Sequence, residues 1–290
     1  MKNMKGIFPA LLTPLTSDGK INDKSYEALI EMQISAGING LYIGGSSAEG
    51  VMMSLEERKH IIDIVSETVN KRVPVISHVG SISTCDAVEL ARYSEEKGLD
   101  AISSVAPYYY KFLPNEIIDY YRDIVASSSL PMIVYNVPGL SGVAMSESVI
   151  DELFSDERVI GMKFTSSDFF AMQKVKSKYP DKLIYNGFDE MLLSGLCVGA
   201  DGGIGTTYNF MPGKFVRLYK LVAENKLAEA LEVQDEINKI VSVILDISVI
   251  SGTKEVLNQL GIECGSGKKP FKTVSEAEKQ MIKEKILPFI

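Results

Sequence analysis

The feature that most constrains the fold of this chain is an eightfold alternation of short apolar runs with longer amphipathic stretches. Each run has the length and the β-branched composition of a buried strand. The runs recur at intervals of roughly 20–35 residues, which is the size of one strand–helix unit. The eight predicted strands are Gly6–Leu12, Gly40–Ile43, Val73–His78, Ala101–Ser104, Met132–Tyr135, Val159–Lys163, Lys182–Tyr185 and Asp201–Ile204.

The stretches between the runs carry helix signals. Asp23–Ala36 places apolar side chains on one face, and Thr84–Lys97 has the same periodicity. Ser54–Glu57 has the form of a capping box, and Pro114–Ala126 begins with proline in the first turn. We therefore predict an α/β fold, a (β/α)₈ barrel over residues 1–225. A doubly wound sheet is the main alternative, but the glycine cluster at residues 199–205 lacks GxGxxG spacing, and it closes the last strand–helix unit instead of opening the first.

From residue 226 onward the pattern predicts helices only. One stripe at helical spacing is expected to pack on the core. A turn is expected at Ser251-Gly252-Thr253, followed by helices over Lys254–Leu260 and Val274–Ile286. Residues 226–290 are thus predicted to be an extension packed on the barrel. The stripe consists of Leu227, Leu231, Ile237, Val241 and Ile244.

Charge and hydropathy exclude several classes of protein. The formal net charge is −8, from 30 basic and 38 acidic side chains, and there is no basic run. Nucleic acids and anionic membranes are therefore poor candidates as partners. No apolar stretch reaches the roughly 18 residues of a membrane span. The first residues, Met1–Gly6, contain no apolar signal core, so we predict a cytoplasmic location.

The cysteines and histidines do not form a recognisable ligand set. Cys85, Cys197 and Cys264 are odd in number and contain no CxxC pair, which argues against a disulfide framework or a thiolate metal site. His60 and His78 are also far apart, so a zinc site is not expected. We predict no metal and no cofactor, and we expect His78 to be a hydrogen-bonded core histidine.

In a barrel of this kind the active site lies at the C-terminal ends of the strands. The segments that follow the predicted strands offer one lysine, several tyrosines and small hydroxyls beside glycines. Acidic side chains are present, but without the histidines that a metal site would favour. These segments are Gly44–Gly50, Pro107–Tyr110, Tyr135–Gly139, Lys163–Thr165, Tyr185–Glu190 and Gly202–Thr207.

Lys163 is the residue among them that most indicates a chemistry. A lysine at the tip of a buried strand is costly if charged, so it is partnered or loses its proton. A neutral amine attacks carbonyls, and the resulting imine is an electron sink for carbon–carbon cleavage. Tyr135, on the adjacent strand, is placed to relay protons. The alternatives are a lysine that simply reaches solvent and a tyrosine that only packs.

Other residues of the predicted mouth also have two interpretations. The loop Gly44–Ser47 brings backbone N–H groups and hydroxyls together before a helix, as a cradle for a carboxylate would. It could equally be a glycine turn with a helix cap. Tyr108–Tyr110 is typical of packing or of an interface, and Asp189 with Glu190 could be ordinary acids at a helix start.

Three motifs carry a resemblance to a known family. Gly44–Gly50 resembles a GGSTGE-type loop, Tyr135–Gly139 resembles a YNxP motif, and Gly161–Lys163 resembles a Schiff-base motif. All three are typical of the pyruvate-dependent class I aldolases of the dihydrodipicolinate synthase and N-acetylneuraminate lyase family. The resemblance covers essentially the whole chain. It implies a barrel with C-terminal helices, assembled as a homotetramer.

Within that family the chain is most similar to the members that cleave sialic acids. Tyr185–Glu190 resembles their YNGYDE segment, and Gly199–Asn209 resembles GADGGIGSTYN. Leu140 stands where the synthases carry an arginine. The resemblance implies reversible cleavage of N-acetylneuraminate to N-acetylmannosamine and pyruvate. One alternative is a related lyase for another 2-oxo sugar acid, and another is a catalytically silent barrel that binds a small molecule.

The resemblance also implies roles for individual residues. Lys163 forms the imine, Tyr135 transfers protons, and Ser46 with Ser47 holds the pyruvate carboxylate. Tyr109 approaches from a neighbouring subunit and supports the hydrogen bonding of Ser47 and Tyr135. The residues expected to line the sugar end are Thr165, Gly187, Asp189, Glu190 and Thr206.

Three positions depart from the family pattern. Ser47 replaces a threonine and keeps the hydroxyl. Ala48 replaces a glycine, so a left-handed backbone there would be strained. Phe188 replaces a tyrosine and lacks a hydroxyl near the sugar end. The last two changes bear on substrate preference rather than on the type of reaction.

Overall fold

A computed structural model describes residues 3–290 of the chain. Eight parallel strands occur in that part, and every predicted strand is confirmed. Met1 and Lys2, which belong to the segment tested for a signal core, lie outside the described residues. The strands are β1 Gly6–Pro9, β2 Leu41–Ile43, β3 Val75–His78, β4 Ala101–Val105, β5 Met132–Asn136, β6 Val159–Phe164, β7 Leu183–Asn186 and β8 Gly202–Gly205.

The strands form a barrel in chain order. From β2 to β8 each strand pairs in parallel with the next, and β8 pairs with β1. Between β1 and β2 the contact is a bridge from Ala10 to Tyr42, and the Leu11 N–H donates to the Tyr42 carbonyl oxygen at 2.8 Å. The predicted (β/α)₈ barrel is therefore the observed fold, nearly closed between its first two strands.

Helices alternate with the strands, as the amphipathic stretches predict. The capping box is confirmed: Ser54 Oγ accepts from the Glu57 N–H, and the Glu57 carboxylate accepts from the Ser54 N–H. Pro114 occupies the first turn of its helix, as expected. The helices are α1 Asp23–Ser35, α2 Leu55–Val69, α3 Thr84–Glu96, α4 Pro114–Ala126, α5 Pro138–Ser141, α6 Glu147–Phe154, α7 Phe169–Lys178, α8 Leu192–Cys197, α9 Pro212–Ala223, α10 Leu227–Ile247, α11 Val249–Gln259 and α12 Glu276–Lys285.

Side chains fill the interior of the barrel toward the N-terminal ends of the strands. Phe8 packs edge-on against Tyr185, with ring centroids 5.5 Å apart, and the Tyr185 hydroxyl donates to the Met4 carbonyl oxygen. The barrel is therefore packed with side chains toward the N-terminal ends of its strands, and its functional groups are expected at the C-terminal ends. The buried interior residues are Met4, Phe8, Ala10, Tyr42, Ile76, Ala101, Ile133, Leu183, Tyr185 and Ile204.

The C-terminal helices differ in two details from the prediction. The turn expected at Ser251-Gly252-Thr253 is wrong, because these residues lie inside α11 and the chain turns at the extended Ser248 instead. In the predicted stripe, Leu227 and Leu231 are exposed, and Ile237, Val241 and Ile244 are buried. Ala230, Val233 and Ile240 complete the buried face of α10.

The division at residue 226 stays a prediction, because one apolar cluster runs from the barrel helices into α10 and α11. In the part of the chain that the structure describes, no helix is both long and apolar enough to cross a membrane.

Candidate active site

Lys163 and Tyr135 face each other on neighbouring strands. They are directly paired in the β5–β6 ladder, with Val134 paired to Met162 on one side and Asn136 to Phe164 on the other. The pairing depends on a register shift earlier in the ladder: Met132 pairs with Val159, but the next residue pairs with Gly161. Ile160 is thus an extra, unpaired residue of β6, and if it were paired with Ile133 in regular register, Tyr135 would lie opposite Met162.

Gly161 is required at this bulge. A Cβ on Gly161 would lie 2.2 Å from the Leu183 carbonyl oxygen of β7, closer than any side chain tolerates. Gly161 therefore allows β6 to lie close to β7. The unpaired Ile160 before it shifts the register of β6 relative to β5 by one residue. The result is that the lysine and the tyrosine reach the same level of the barrel.

The Lys163 amine lies among aromatic rings. Its Nζ is 4.2 Å from the ring centroid of Tyr135 and 4.8 Å from that of Tyr42. The side chain is 5% exposed, and within residues 3–290 no carboxylate oxygen lies within 4.0 Å of the amine. Ring faces attract a cation but cannot take its proton. The predicted alternative of a lysine that reaches solvent is wrong.

His78 packs beside the two tyrosines as a neutral core histidine, as predicted. Its Nε2 accepts from the Val105 N–H at 3.2 Å, so its Nδ1 carries the proton toward the Gly44 carbonyl oxygen at 3.3 Å. Burial, followed by the charges of Arg58 and Lys163, holds the pKa of His78 well below its usual range. The imidazole of His78, on β3, therefore connects β4 to the loop that begins at Gly44 through its two hydrogen bonds.

Arg58 is a buried cation that the sequence analysis did not single out. Its guanidinium donates to the carbonyl oxygens of His78 at 2.6 Å and Gly80 at 3.0 Å. Burial lowers the pKa of Arg58 to about 10. It lies on α2, and nothing in the sequence of that helix distinguishes it from the other charged residues there. By binding these two carbonyl oxygens, Arg58 holds the end of β3 in place behind the mouth of the barrel.

The loop between β2 and α2 forms a tight turn at the mouth. Gly44 has a left-handed backbone (φ 69°), and a Cβ on Gly50 would lie 2.1 Å from the Gly44 carbonyl oxygen. The turn leaves Ser46 exposed and buries Ser47, whose Oγ is 2.6 Å from Thr206 Oγ1 on the β8 side. The structure thus brings the predicted residues Ser47 and Thr206 together across the barrel opening.

The strain expected at Ala48 is absent. The left-handed residue of the loop is Glu49 (φ 60°), and Ala48 is not among the residues with positive φ. Ala48 is buried, and its carbonyl oxygen accepts from the Thr13 hydroxyl at 3.0 Å. An alanine is accommodated at this position without a backbone penalty.

Thr165 and Gly187 lie against each other after β6 and β7. A Cβ on Gly187 would come 1.8 Å from Thr165 Oγ1, so only glycine permits this contact. The Thr165 N–H donates to the Asn136 carbonyl oxygen, and the Gly187 N–H donates to that of Phe164, both at 2.9 Å. Thr165 Oγ1 is itself buried and makes no hydrogen bond within the described residues.

Asp189 is buried, while its neighbour Glu190 is half-buried. Asp189 Oδ2 accepts from both the N–H and the hydroxyl of Thr207, each at 2.6 Å. Burial raises the pKa of Asp189 to about 6, against the effect of these hydrogen bonds. Thr207, not predicted as a site residue, therefore holds Asp189 in place beside the mouth.

Tyr109 is the one predicted catalytic residue that the chain does not bring to the mouth. It is 84% exposed with a left-handed backbone (φ 79°), and its ring packs edge-on against Tyr110 at 5.0 Å. In the described chain it makes no hydrogen bond to Ser47 or Tyr135.

Leu140 is also exposed, at 73%. Among residues 3–290 no cluster of three or more histidine, cysteine or acidic side chains could hold a metal ion.

A barrel with a buried lysine opposite a strand-end tyrosine at its C-terminal mouth is the arrangement expected of a Schiff-base aldolase. The model of the dihydrodipicolinate synthetase family matches residues 3–287. The chain therefore belongs to the dihydrodipicolinate synthetase family.

Relatives and solved structures show which members are similar. The chain is 39% identical to the N-acetylneuraminate lyase of Rhizobium meliloti (strain 1021), over 99% of this chain and 96% of the relative. A crystal structure of CdNal from Clostridium difficile in complex with mannosamine is 38% identical, with a TM-score of 0.97 over 100% of both chains. The N-acetylneuraminate lyase of Fusobacterium nucleatum complexed with pyruvate is 39% identical, with a TM-score of 0.94 over 99% of this chain and 97% of that one.

Proposed function

We propose that the protein is a class I aldolase that cleaves N-acetylneuraminate reversibly to N-acetylmannosamine and pyruvate. The observation that carries the proposal is the direct pairing of Lys163 with Tyr135 at the barrel mouth. The similar proteins named N-acetylneuraminate lyase, and the complexes of such relatives with mannosamine and with pyruvate, support the choice of substrate.

In the proposed reaction the Lys163 amine attacks the C2 ketone of the open-chain substrate, and loss of water gives an imine. Removal of the proton from the C4 hydroxyl breaks the C3–C4 bond. Its electron pair moves into the imine, which leaves an enamine and the free aldehyde. Protonation at C3 and addition of water then release pyruvate and restore the amine. Tyr135 relays the protons, and this chemistry requires neither a metal nor a cofactor.

The remaining site residues are assigned by the same proposal. Ser46 and Ser47 hold the carboxylate, with Ser47 oriented by its contact to Thr206 Oγ1 at 2.6 Å. The sugar end is lined by Thr165, Gly187, Asp189, Glu190 and Thr206. Acidic side chains suit this end, because carboxylates accept strong hydrogen bonds from vicinal hydroxyls.

Borohydride reduction in the presence of pyruvate tests the imine. We expect a covalent pyruvyl adduct on the peptide that contains Lys163, and none in the variant Lys163→Met. Lys174→Met is the matched control, because Lys174 lies on the exposed face of α7 and should leave trapping unchanged. Failure of the parent protein to form the adduct would sink the proposal.

A related lyase that acts on another 2-oxo sugar acid is the second candidate. The observation that favours it is Phe188, which has no hydroxyl to offer a substrate at the sugar end. A panel of 2-oxo sugar acids, with pyruvate release as the readout, decides between the two. Faster cleavage of an unacetylated hexulosonate than of N-acetylneuraminate would favour the second candidate.

A homotetramer is part of the proposal. The exposed ring of Tyr109 and its aromatic neighbours Tyr110 and Phe112 fit a subunit interface, through which Tyr109 would support Ser47 and Tyr135 of a neighbouring subunit. Mixing Lys163→Met with Tyr109→Ala subunits should restore activity that each variant lacks alone. Absence of restored activity in verified hybrids would argue against a role of Tyr109 in the neighbouring site.

The cytoplasmic location stays a prediction.

A further inference from the structure

A buried ion pair joins the loop that carries Ser46 and Ser47 to the C-terminal helices. Glu49 Oε1 of the loop lies 2.5 Å from Lys254 Nζ of α11, and both side chains are fully buried. The second oxygen of Glu49 accepts from the Lys268 N–H, in the segment after α11. One carboxylate thus ties the loop to two places in residues 226–290, more than 200 residues away in sequence.

Glu49 holds a backbone conformation that its residue type disfavours. Its φ of 60° and ψ of 26° lie in the left-handed region, where glycine or asparagine is usual. Such a conformation persists when the surrounding structure over-determines it. Here the only groups that bind the Glu49 side chain in residues 3–290 are Lys254 and the Lys268 N–H. Residues 226–290, through α11 and the segment after it, therefore supply the side-chain contacts that hold the strained residue.

The strained residue is also the one that shapes the serine turn. The Glu49 N–H donates to the Ser46 carbonyl oxygen at 3.0 Å, and the Gly50 N–H donates to that of Gly45 at 3.1 Å. Displacement of Glu49 would therefore shift the two serines directly. On the far side, Lys268 Nζ pairs with Glu57 at 2.6 Å, so the start of α2 is bound to the same segment.

We propose that Glu49 and Lys254 are positioning residues that hold Ser46 and Ser47 for the substrate carboxylate. In this reading the C-terminal helices are part of the binding site, although none of their residues is expected to touch the substrate. The inference rests on the proposed function, because it assumes that the serines bind the carboxylate of pyruvate.

The test compares Glu49→Gln, Lys254→Met and the double variant that combines them. Each single change leaves a buried group without its charged partner, so both singles should lose stability in thermal melts. The double variant removes both charges and should regain much of that stability. The double variant is expected to fold although it lacks the ion pair. It therefore separates a loss of stability from a loss of the positioning of Ser46 and Ser47.

The readout is imine formation, measured by borohydride trapping at increasing pyruvate concentration. We expect the double variant to need about tenfold to a hundredfold more pyruvate for half-maximal trapping, as small misplacements of binding groups cost that much. Trapping at saturating pyruvate should stay near the parent level. Methyl pyruvate has no carboxylate, so its half-maximal concentration should stay unchanged. A merely structural role would change both ketones alike.

The matched control is Lys214→Met. Lys214 of α9 pairs with Glu236 of α10 at 2.7 Å, so it also joins the barrel to the C-terminal helices, but away from the loop. This variant should trap pyruvate as the parent does. A double variant with the parent's half-maximal pyruvate concentration would overturn the inference and leave the proposed function intact. A parent protein that traps no pyruvate would overturn both.

Discussion

Lys163 lies opposite Tyr135 because β6 contains one more residue than β5 over the same length of ladder. The extra residue, Ile160, comes just before Gly161, which alone can pass the Leu183 carbonyl oxygen of β7. A one-residue slip in a ladder moves side chains to the opposite face. The chemistry proposed for the mouth thus depends on a bulge near the opposite end of the strand.

Tyr135→Phe should lower kcat about 10²–10⁴-fold, because the variant lacks the hydroxyl proposed to transfer protons. Its ring would still cover the amine at 4.2 Å, so the site should keep its shape. Tyr42→Phe is the control: it also keeps a ring over the amine and loses only a buried hydrogen bond to Ser103 at 3.2 Å. Steady-state cleavage rates of the two variants give the comparison. Equal losses in both would contradict the role of Tyr135.

Ser47→Ala should raise the pyruvate concentration needed for half-maximal rate in the synthesis direction by about tenfold or more. The variant loses a hydroxyl that binds the carboxylate, and hydrogen bonds to charged groups contribute about 1.5–3 kcal/mol. It also leaves Thr206 Oγ1 without its partner at 2.6 Å. Ser47→Thr keeps the hydroxyl and should behave like the parent. A fully active alanine variant would remove Ser47 from the proposed carboxylate site.

Gly187→Ala should lower the free energy of unfolding by about 1–3 kcal/mol, the usual cost of overpacking. The new Cβ would lie 1.8 Å from Thr165 Oγ1 and 2.8 Å from Thr165 Cβ, so the whole threonine must shift from its present position at the sugar end. The KM for N-acetylneuraminate should therefore rise, while borohydride trapping of pyruvate persists. Gly213→Ala in α9 meets no atom within 4 Å, and should be neutral or stabilising by up to about 1 kcal/mol in denaturant unfolding.

Asp189→Asn should become more stable relative to the parent as the pH rises from about 4 to about 7. Burial raises the pKa of Asp189 from 3.8 to about 6, so the folded state holds its proton more tightly than the unfolded state. The parent therefore loses stability as the pH rises through about 6, by an amount on the order of 3 kcal/mol for a shift of about two units. Denaturant unfolding of both proteins across this range measures the difference.

Asp201→Asn is the control for that experiment. Although burial acts in the opposite direction, hydrogen bonds from Lys176 and Lys5 hold the pKa of Asp201 below its usual value. Its carboxylate therefore stabilises the fold above that usual value and loses the contribution only as the pH falls through the lowered pKa. The asparagine variant should be less stable than the parent by a constant amount between pH 5 and 7. A constant difference for Asp189→Asn as well would refute the raised pKa.

The strands were predictable from the sequence because each is a short apolar run separated by an amphipathic stretch of helical length. Lys163 and Tyr135 were predictable as neighbours because they end consecutive strands, and the C-terminal ends of parallel strands meet. Their direct pairing was not, because a bulge at Ile160 leaves no signal in an apolar run. The prediction placed both residues at the mouth but could not give their register.

The features that the sequence did not predict depend on tertiary contacts. Ser251-Gly252-Thr253 has the composition of a turn, but the small side chains allow α11 to pack closely on α10, with Ile244 Cδ1 only 3.3 Å from a Cβ placed on Gly252. Tertiary packing overrides the local preference there. Lys254 follows directly, and its only sequence signal is a charged residue one helical turn before Leu257. Nothing local indicates that Glu49 is its partner.

The packed lower half of the barrel has a kinetic consequence. Because Phe8, Tyr185 and their neighbours fill the interior below Lys163, we expect ligands to enter and leave through the C-terminal mouth rather than through the barrel. In the proposed reaction the pyruvate fragment stays bound to the lysine, and the sugar aldehyde lies between it and solvent. The aldehyde must therefore leave before pyruvate. Pyruvate then binds to the same free enzyme as N-acetylneuraminate and competes with it, whereas N-acetylmannosamine inhibits without such competition.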